Sequence, residues 1–365
     1  GYATGGFGKW GLGYPGSEGM PSLQGFDRFF GYLGQRRAHF YYPEFLFSDV
    51  KGEELKRVPL EGNRVSDTPN HPGSGIPESA ETYAPDLIHD RAVQFLNENS
   101  DRPFFLYYPT PIPHASLEVP KEYMEPYLDQ NGESMFDETP FPGAHYAPQS
   151  MPMAAYAAMV SYLDARVGDL MSRVDSLGLS DQTIFIFTSD NGSHSEGGYH
   201  YSMFSSNGEL RGGKRDLYEG GIRVPMIIRW TGTVDGGRVT DHISGFQDLL
   251  PTLAGAAGID LNIPVDGLSM MPLLEDEGLQ PEHEYLYWEF HEQGGKQAVR
   301  KGDWKAVRLD VAQNMSSPTE LYNLADDPGE QENIADMHPD RLKELTSLMD
   351  SARVPSAIFK LFKNE

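Results

Sequence analysis

The chain has 365 residues, with 29 Lys and Arg against 54 Asp and Glu for a net charge of −25, and it has no cysteine. That charge excludes a broad nucleic-acid or anionic-membrane surface. The lack of Cys excludes disulfides, thiolate metal sites and a cysteine nucleophile within these residues. With 39% hydrophobic residues, including 19 Phe and 19 Tyr, there is enough apolar surface for a large core.

The first 80 residues are rich in Gly, Pro and aromatics without clean periodicity and read as loops with short elements. Leu87, Ile88, Val93 and Leu96 share one face of a helix over 84–97, with Asp86 in its first turn. Residues 103–108 are a continuous apolar run and read as a buried strand, followed by a Pro-rich excursion over 109–152. The clearest helix covers 153–177, with Gly178 as its stop. Residues 183–188 and 224–230 read as two further buried strands. Strands separated by long helices predict an α/β fold with a largely parallel sheet. This pattern holds over 1–280, which we take as one domain. From 281 the texture changes. Short strands over 285–290, 297–300 and 304–309, a turn at 326–329 and an amphipathic helix over 338–351 predict a small α+β subdomain at 281–365. No apolar run approaches the roughly 18 residues of a membrane span.

Two pattern matches fail on context. Gly6-Phe7-Gly8-Lys9-Trp10-Gly11 fits G-x-G-x-x-G, but Gly13, Pro15 and Gly16 follow where a dinucleotide site needs a helix. Gly208 to Lys214 nearly fits a P-loop, but Arg215 stands where Ser or Thr would bind magnesium.

Three segments carry candidate chemistry. The strand at 183–188 runs into Ser189-Asp190-Asn191-Gly192. Ligands in open α/β sheets bind beyond the carboxyl ends of strands, and Asp190 and Asn191 offer adjacent hard oxygens suited to Ca2+ or Mg2+. An ordinary Asp-Asn-Gly turn explains the same residues. The strand at 103–108 leads to Pro113-His114, where His114 is a candidate general acid or a capped loop histidine. Lys214, in a Gly-rich loop, is a candidate anion clamp or a solvated surface lysine.

Taken together the motifs resemble the formylglycine-dependent sulfatases of the alkaline-phosphatase superfamily. Residues 1–13 look like the family's G-Y-x-T…G-K-W-H-L-G block, and Gly25-Phe26-Asp27-Arg28-Phe29-Phe30-Gly31 looks like its G-F-D-x-F-x-G segment. Pro103 to His114, Ser189 to Gly192 and Gly212 to Pro225 match the strand ending in P-H, the metal turn and the G-x-K…E-G-G-x-R-V-P block. Asp266-Gly267-Leu268-Ser269 and the Leu321 to Asn333 stretch match later signatures.

The resemblance implies an alkaline-phosphatase-like, mostly parallel sheet sandwiched by helices, with a smaller C-terminal α+β subdomain. It implies a sulfuric ester hydrolase of the arylsulfatase kind, acting on a sulfated small molecule or polysaccharide. Asp190 and Asn191 would be two ligands of a single Ca2+, with Mg2+ as the alternative. Lys9 and Lys214 would hold the sulfate, and His114 would protonate the leaving-group oxygen. The nucleophile would be a hydrated formylglycine, made by a formylglycine-generating enzyme from Cys or Ser in C/S-x-P-x-R. A periplasmic or secreted location, with no membrane span and no nucleic-acid partner, goes with that family. The alternatives are a phosphoester or phosphonate hydrolase of the same superfamily, or a non-catalytic sulfoglycan-binding relative.

The sequence departs from the family at two places. No C/S-x-P-x-R is present: Ser316-Ser317-Pro318-Thr319-Glu320 has Glu where Arg is required. The family's motif and an Asp pair for the metal lie upstream of the G-K-W block, so the expectation is an N-terminally truncated sulfatase, missing its first strand or strands and inactive alone. Gly11 stands where the family has a catalytic His, and His39 is the residue expected to fill that space. His194, Arg211 and His291 are further candidates for the substrate pocket, while Asp164 and Arg223 read as structural ion-pair residues. Because net −25 repels a sulfated polymer, productive binding calls for a local basic cluster, for which Lys9, Arg36, Arg37, Arg211, Lys214 and Arg215 are available.

Overall fold

The Gly-rich opening segment is a strand and not a loop. In the computed structural model, which describes residues 1–68, 71–314 and 316–362, β1 (Ala3–Lys9) is buried along nearly its whole length. It pairs in parallel with β2 (Arg28–Tyr32). The sheet continues antiparallel through β3 (Phe45–Val50) and β4 (Lys56–Pro59). Glycine is required in this strand pair by close backbone approach. A Cβ on Gly31 would overlap the Gly8 carbonyl, and one on Gly8 would overlap the carbonyl of Pro109. The G-x-G pattern therefore serves packing and cradles no phosphate.

A hairpin, β5 (Arg64–Thr68) with β6 (His71–Ser79), precedes the first long helix. That helix, α1 (Ala84–Glu98), has Pro85 and Asp86 in its first turn and buries Ile88, Ala92, Phe95 and Leu96. Phe95 lies 5.5 Å from Phe7 of β1, ring centre to ring centre. Each such buried side chain contributes about 1.5–3 kcal/mol. β7 (Phe104–Tyr107) pairs in parallel with β1 on its other side, giving the order β4-β3-β2-β1-β7. After α2 (Lys121–Met124), the long α3 (Pro152–Ser176) places Ala154, Ala155, Ala158, Met159 and Tyr162 in a core with Tyr41, Tyr83, Ile112 and Leu117. Asp86 of α1 ties to α3 through Arg166 and the Tyr162 hydroxyl, both at 2.8 Å. The ion pair here is made by Arg166 with Asp86, whereas Asp164, the residue expected to pair on this helix, is exposed.

These elements form one of two compact units, Gly1–Ser180 with His194–Met203; the other holds Asp181–Ser193 and Phe204–Glu365. In the second unit β8 (Ile184–Thr188) pairs antiparallel with β9 (Met226–Trp230). The short α4 (Glu219–Ile222) precedes β9; α5 (Leu249–Ala256) and α6 (Met271–Glu275) follow it. β10 (Leu286–Phe290), β11 (Lys296–Lys301), β12 (Trp304–Leu309) and β13 (Thr319–Asn323) form an antiparallel sheet. It is covered by α7 (Pro339–Ala352), whose Leu345 and Met349 pack on Val299, Ala306 and Leu321.

The fold is mixed α/β with a C-terminal antiparallel sheet. Strand direction departs from the largely parallel expectation. β1, β2 and β7 are parallel, whereas β3, β4, β8 and β9 make antiparallel pairs. The β3–β4 connection is residues 51–55, too short for the crossover a parallel pair requires. The antiparallel sheet begins near the change of texture at 281, yet its unit also takes in residues 204–280. Leu217 and Tyr218 pack into the same core as Ala298, Val307, Tyr322 and Leu324, which accounts for that inclusion. Among the described residues no helix is long and apolar enough to cross a membrane.

Candidate active site

In the first unit, Lys9 closes β1, and its backbone N–H donates to the Pro109 carbonyl at 2.7 Å. Two residues on, Gly11 has φ +74°, and the Gln35 side chain occupies the space where a Cβ would project. The backbone and Gln35 together exclude a histidine at this position without rearrangement.

His114 lies seven residues beyond the end of β7, and its main chain is fixed by Tyr41. The Tyr41 hydroxyl reaches the carbonyls of Pro111 at 3.0 Å and His114 at 2.7 Å. The His114 Nδ1 faces the Ala115 carbonyl, so Nδ1–H is the donor there and Nε2 is the nitrogen on the side of Glu196. His39 is brought directly against it. The two imidazoles stack with centres 4.7 Å apart and planes 12° apart, and the His39 carbonyl accepts from the Ser116 N–H at 2.8 Å. His145 meets His39 edge-on at 5.3 Å and Tyr146 completes the group.

His194 is buried. Its Nδ1 accepts from the Glu196 N–H at 3.2 Å, so Nε2 carries the proton and donates to the Pro113 carbonyl at 2.8 Å. Both ring nitrogens are thereby committed to holding the loop that presents His114. The same arm places a Glu196 carboxylate oxygen 3.7 Å from His114 Nε2.

Beneath this loop Glu118 accepts from the Tyr41 N–H at 3.0 Å. Burial pushes its carboxyl up to about 7, against a smaller opposing effect of that hydrogen bond. Tyr41 and Tyr32 are also pushed up, first by burial and then, among other neighbours, by this carboxylate. Between roughly pH 4.5 and 7 the folded protein keeps a proton that the unfolded chain has released, so stability falls as pH rises through that window. Glu118→Gln removes the cost of the buried charge while keeping an acceptor for Tyr41. The variant is expected to exceed the wild type in stability at pH 8, by on the order of 1–3 kcal/mol, and to match it near pH 4. Urea unfolding at the two pH values measures this, and an offset that does not change with pH contradicts it.

In the second unit, Asp190 and Asn191 follow β8 directly. Asn191 Nδ2 donates to the Gly192 carbonyl at 2.8 Å, and Asp190 beside it is exposed. This turn is laced to the Lys214 loop by backbone bonds, Lys214 N–H to the Ser193 carbonyl and Gly192 N–H to the Gly221 carbonyl, each 2.9 Å. A Cβ on Gly192 would overlap the Gly220 carbonyl, so the Gly of the Asp-Asn-Gly turn is set by this contact.

The Lys214 loop rests on buried charges. Glu219 is paired with Lys305 at 2.9 Å, Arg223 at 2.9 Å and Arg300 at 3.2 Å, and the fully buried Lys305 also pairs with Glu330 at 2.9 Å. Burial alone would raise the Glu219 carboxyl, but the surrounding cations hold it below its ordinary value. Burial dominates at Glu330 and pushes it up. Arg223 is thus the structural ion-pair residue expected of it. Arg211 donates to the Tyr322 hydroxyl at 3.0 Å and the Glu330 carbonyl at 2.9 Å, with its guanidinium over the Tyr218 ring.

Arg37, Arg215 and His291 are engaged locally, and Arg36 is exposed. Arg37 lies over Phe45, 4.1 Å from the ring centre. Arg215 approaches Glu292 at 4.0 Å, and His291 stacks on Phe359 at 3.9 Å and contacts the Lys360 carbonyl. Gln35, His145 and Glu196 were not anticipated. Glu196 lies two residues beyond His194, a position that carries meaning only once the His194–Pro113 bond is known.

Asp190 and Asn191 suit a hard cation by chemistry, but two oxygens are fewer than the six to eight that Ca2+ takes. Among the described residues no group of three or more His, Asp or Glu is placed to hold a metal. The pair fits as part of a ligand set.

A family model described as sulfatase matches residues 1–259, and one described as N-sulphoglucosamine sulphohydrolase, C-terminal, matches 212–353. The chain belongs to the sulfatase family, whose members hydrolyse sulfate esters and are generally metal-dependent. Arylsulfatase A of Homo sapiens is 32% identical over 380 residues, covering 95% of this chain and 68% of that protein. N-acetylgalactosamine-6-O-sulfatase of Bacteroides thetaiotaomicron is 29% identical over 295 residues, covering 73% of this chain and 50% of that protein. The crystal structure of Ps i-CgsB in complex with k-i-k-neocarrahexaose matches with a TM-score of 0.73 at 25% identity, covering 96% of this chain and 71% of that one. The chain thus spans about two thirds of the length of arylsulfatase A.

Proposed function

We propose that this protein cleaves the sulfate ester of a carbohydrate or an aryl alcohol, in a periplasmic or secreted setting. The observation that carries the reading is the pair of backbone bonds that lace the Asp190-Asn191 turn to the Lys214 loop. They tie the backbone of the Asp190-Asn191 turn to that of the Lys214 loop, which supports a reading in which the two act on one metal-bound anion. Asp190 and Asn191 Oδ1 would supply two ligands to a Ca2+, which when bound polarises the sulfate oxygens. By the family pattern, Lys9 and Lys214 would hold the sulfate and stabilise the charge that grows on it. His114 gives the proton on Nε2 to the ester oxygen as the S–O bond breaks. A formylglycine, made by its generating enzyme, would supply the attacking oxygen. His39, which stacks on His114, would be the residue that takes the place of the family His absent at Gly11. His194 and Arg211 serve loop geometry, and His291 faces the C-terminal residues.

The test is release of inorganic sulfate by the purified product of the complete gene. A monosaccharide sulfate and 4-nitrophenyl sulfate are compared with the matching phosphate and methylphosphonate esters. Sulfate release exceeding phosphorus-ester cleavage by about 100-fold or more is expected, and the reverse order overturns the reading. Chelation with EGTA is expected to abolish turnover and added Ca2+ to restore it, while Asp190→Ala weakens Ca2+ binding by calorimetry about tenfold or more. Turnover unaffected by EGTA contradicts the metal assignment.

A further inference from the structure

The residues 194–196 do more than decorate the loop after the metal turn. His194 is fastened at Nε2 to the carbonyl of Pro113, immediately before His114, and at Nδ1 to the N–H of Glu196. One imidazole therefore registers two loops against each other and delivers the Glu196 carboxylate to His114 Nε2 at 3.7 Å. His114 and Glu196 are largely withdrawn from solvent, with side chains 15% and 11% exposed, so their interaction is weakly screened.

Among the described contacts, the His114 ring meets His39 stacked at 4.7 Å, Tyr146 at 5.9 Å, His194 at 6.0 Å and Glu196, and His145 lies edge-on to His39 at 5.3 Å. Of these, Glu196 alone bears a negative charge. The hydrogen bond from Nδ1 to the Ala115 carbonyl leaves Nε2 as the nitrogen whose protonation that charge governs.

We propose that Glu196 is the positioning residue that keeps the transferable proton on His114 Nε2, and so selects sulfate esters whose leaving alcohol needs that proton. The inference deepens the hydrolase reading above and rests on it. As the S–O bond breaks, its electron pair goes to the ester oxygen, which takes the proton from Nε2. The sulfur accepts the incoming oxygen nucleophile, and His114 is left neutral. A sugar alkoxide is a poor leaving group and depends on this transfer, whereas 4-nitrophenolate leaves without it.

Glu196→Gln keeps the backbone N–H that binds His194 and removes the charge. The variant is expected to lose about tenfold or more in kcat/KM on a monosaccharide sulfate and to stay within about threefold on 4-nitrophenyl sulfate. Equal losses on both substrates would make Glu196 a structural residue, and no loss on the sugar sulfate would remove it from the reaction; either overturns the proposal. A second measurement does not depend on turnover. In nitrogen-15 spectra of the histidine side chains, His114 is expected to release its proton at lower pH in Glu196→Gln than in the wild type, with His89, paired to Asp169, unchanged. An unchanged His114 overturns the pairing even in a protein that cleaves no sulfate ester, so failure of this inference is distinguishable from failure of the hydrolase reading.

Discussion

His114→Ala lowers kcat on a monosaccharide sulfate by about 100- to 10,000-fold while leaving the fold intact. The fold is spared because the loop is held by groups other than the imidazole. Tyr41 binds the main-chain carbonyls of Pro111 and His114, Ser116 N–H binds the His39 carbonyl, and His194 holds Pro113. Removing the ring deletes its hydrogen bond to the Ala115 carbonyl, its contacts with His39, Tyr146 and His194 and its proximity to Glu196, while these main-chain bonds stay. The loss should shrink on 4-nitrophenyl sulfate, whose phenolate departs unassisted. Because Glu196 acts through His114, the double variant His114→Ala with Glu196→Gln should be no worse than His114→Ala alone. A loss of the same size on both substrates, with unchanged thermal unfolding, would show that His114 binds sulfate and does not donate the proton.

Lys305→Met destabilises the second unit by about 3–5 kcal/mol. Lys305 is fully buried between Glu219 and Glu330, at 2.9 Å from each. Met keeps much of the volume but leaves two carboxylates sharing a dry site, with Arg300 and Arg223 serving Glu219 alone. The penalty should ease in acid, because protonating the orphaned carboxyls removes the buried charge; stability of the variant falls as pH rises. Glu330→Gln added to Lys305→Met should recover part of the loss. The effect reaches the site as well, since Glu219 begins the turn whose Gly221 carbonyl binds Gly192. Lys214 and the Asp190-Asn191 turn are therefore expected to lose order together. Urea unfolding followed by circular dichroism at pH 5 and pH 8 measures this, and a pH-independent loss under about 1 kcal/mol would mean the network contributes little.

The elements legible in the sequence are those whose period matches their environment. The helices at 84–98 and 152–176 carry apolar faces, and the strands at 104–107, 184–188 and 226–230 are apolar runs. β1 was not legible, because Gly5, Gly6 and Gly8 carry no β-propensity and serve contacts that exist only after β2 and Pro109 are in place. Strand direction was partly missed for the same reason: apolar runs announce burial and leave pairing unspecified. At the site, Asp190, Asn191, His114 and Lys214 could be singled out because each follows a strand end or a Gly-rich turn. Glu196 could not, since the bond that gives it a role joins residues 81 positions apart. His194 illustrates the converse. The sequence offers it as a substrate-pocket histidine, but the hydrogen bonds at both nitrogens engage it with Pro113 and Glu196.

The central claim is that the ester breaks at sulfur, with His114 protonating the departing alcohol oxygen. Hydrolysis of an alkyl or sugar sulfate by the purified protein in oxygen-18 water, with mass analysis of both products, tests it most directly. Label in the inorganic sulfate and none in the alcohol is the predicted result. Label in the alcohol would mean that carbon–oxygen cleavage occurs, and would contradict the roles given to His114 and Glu196.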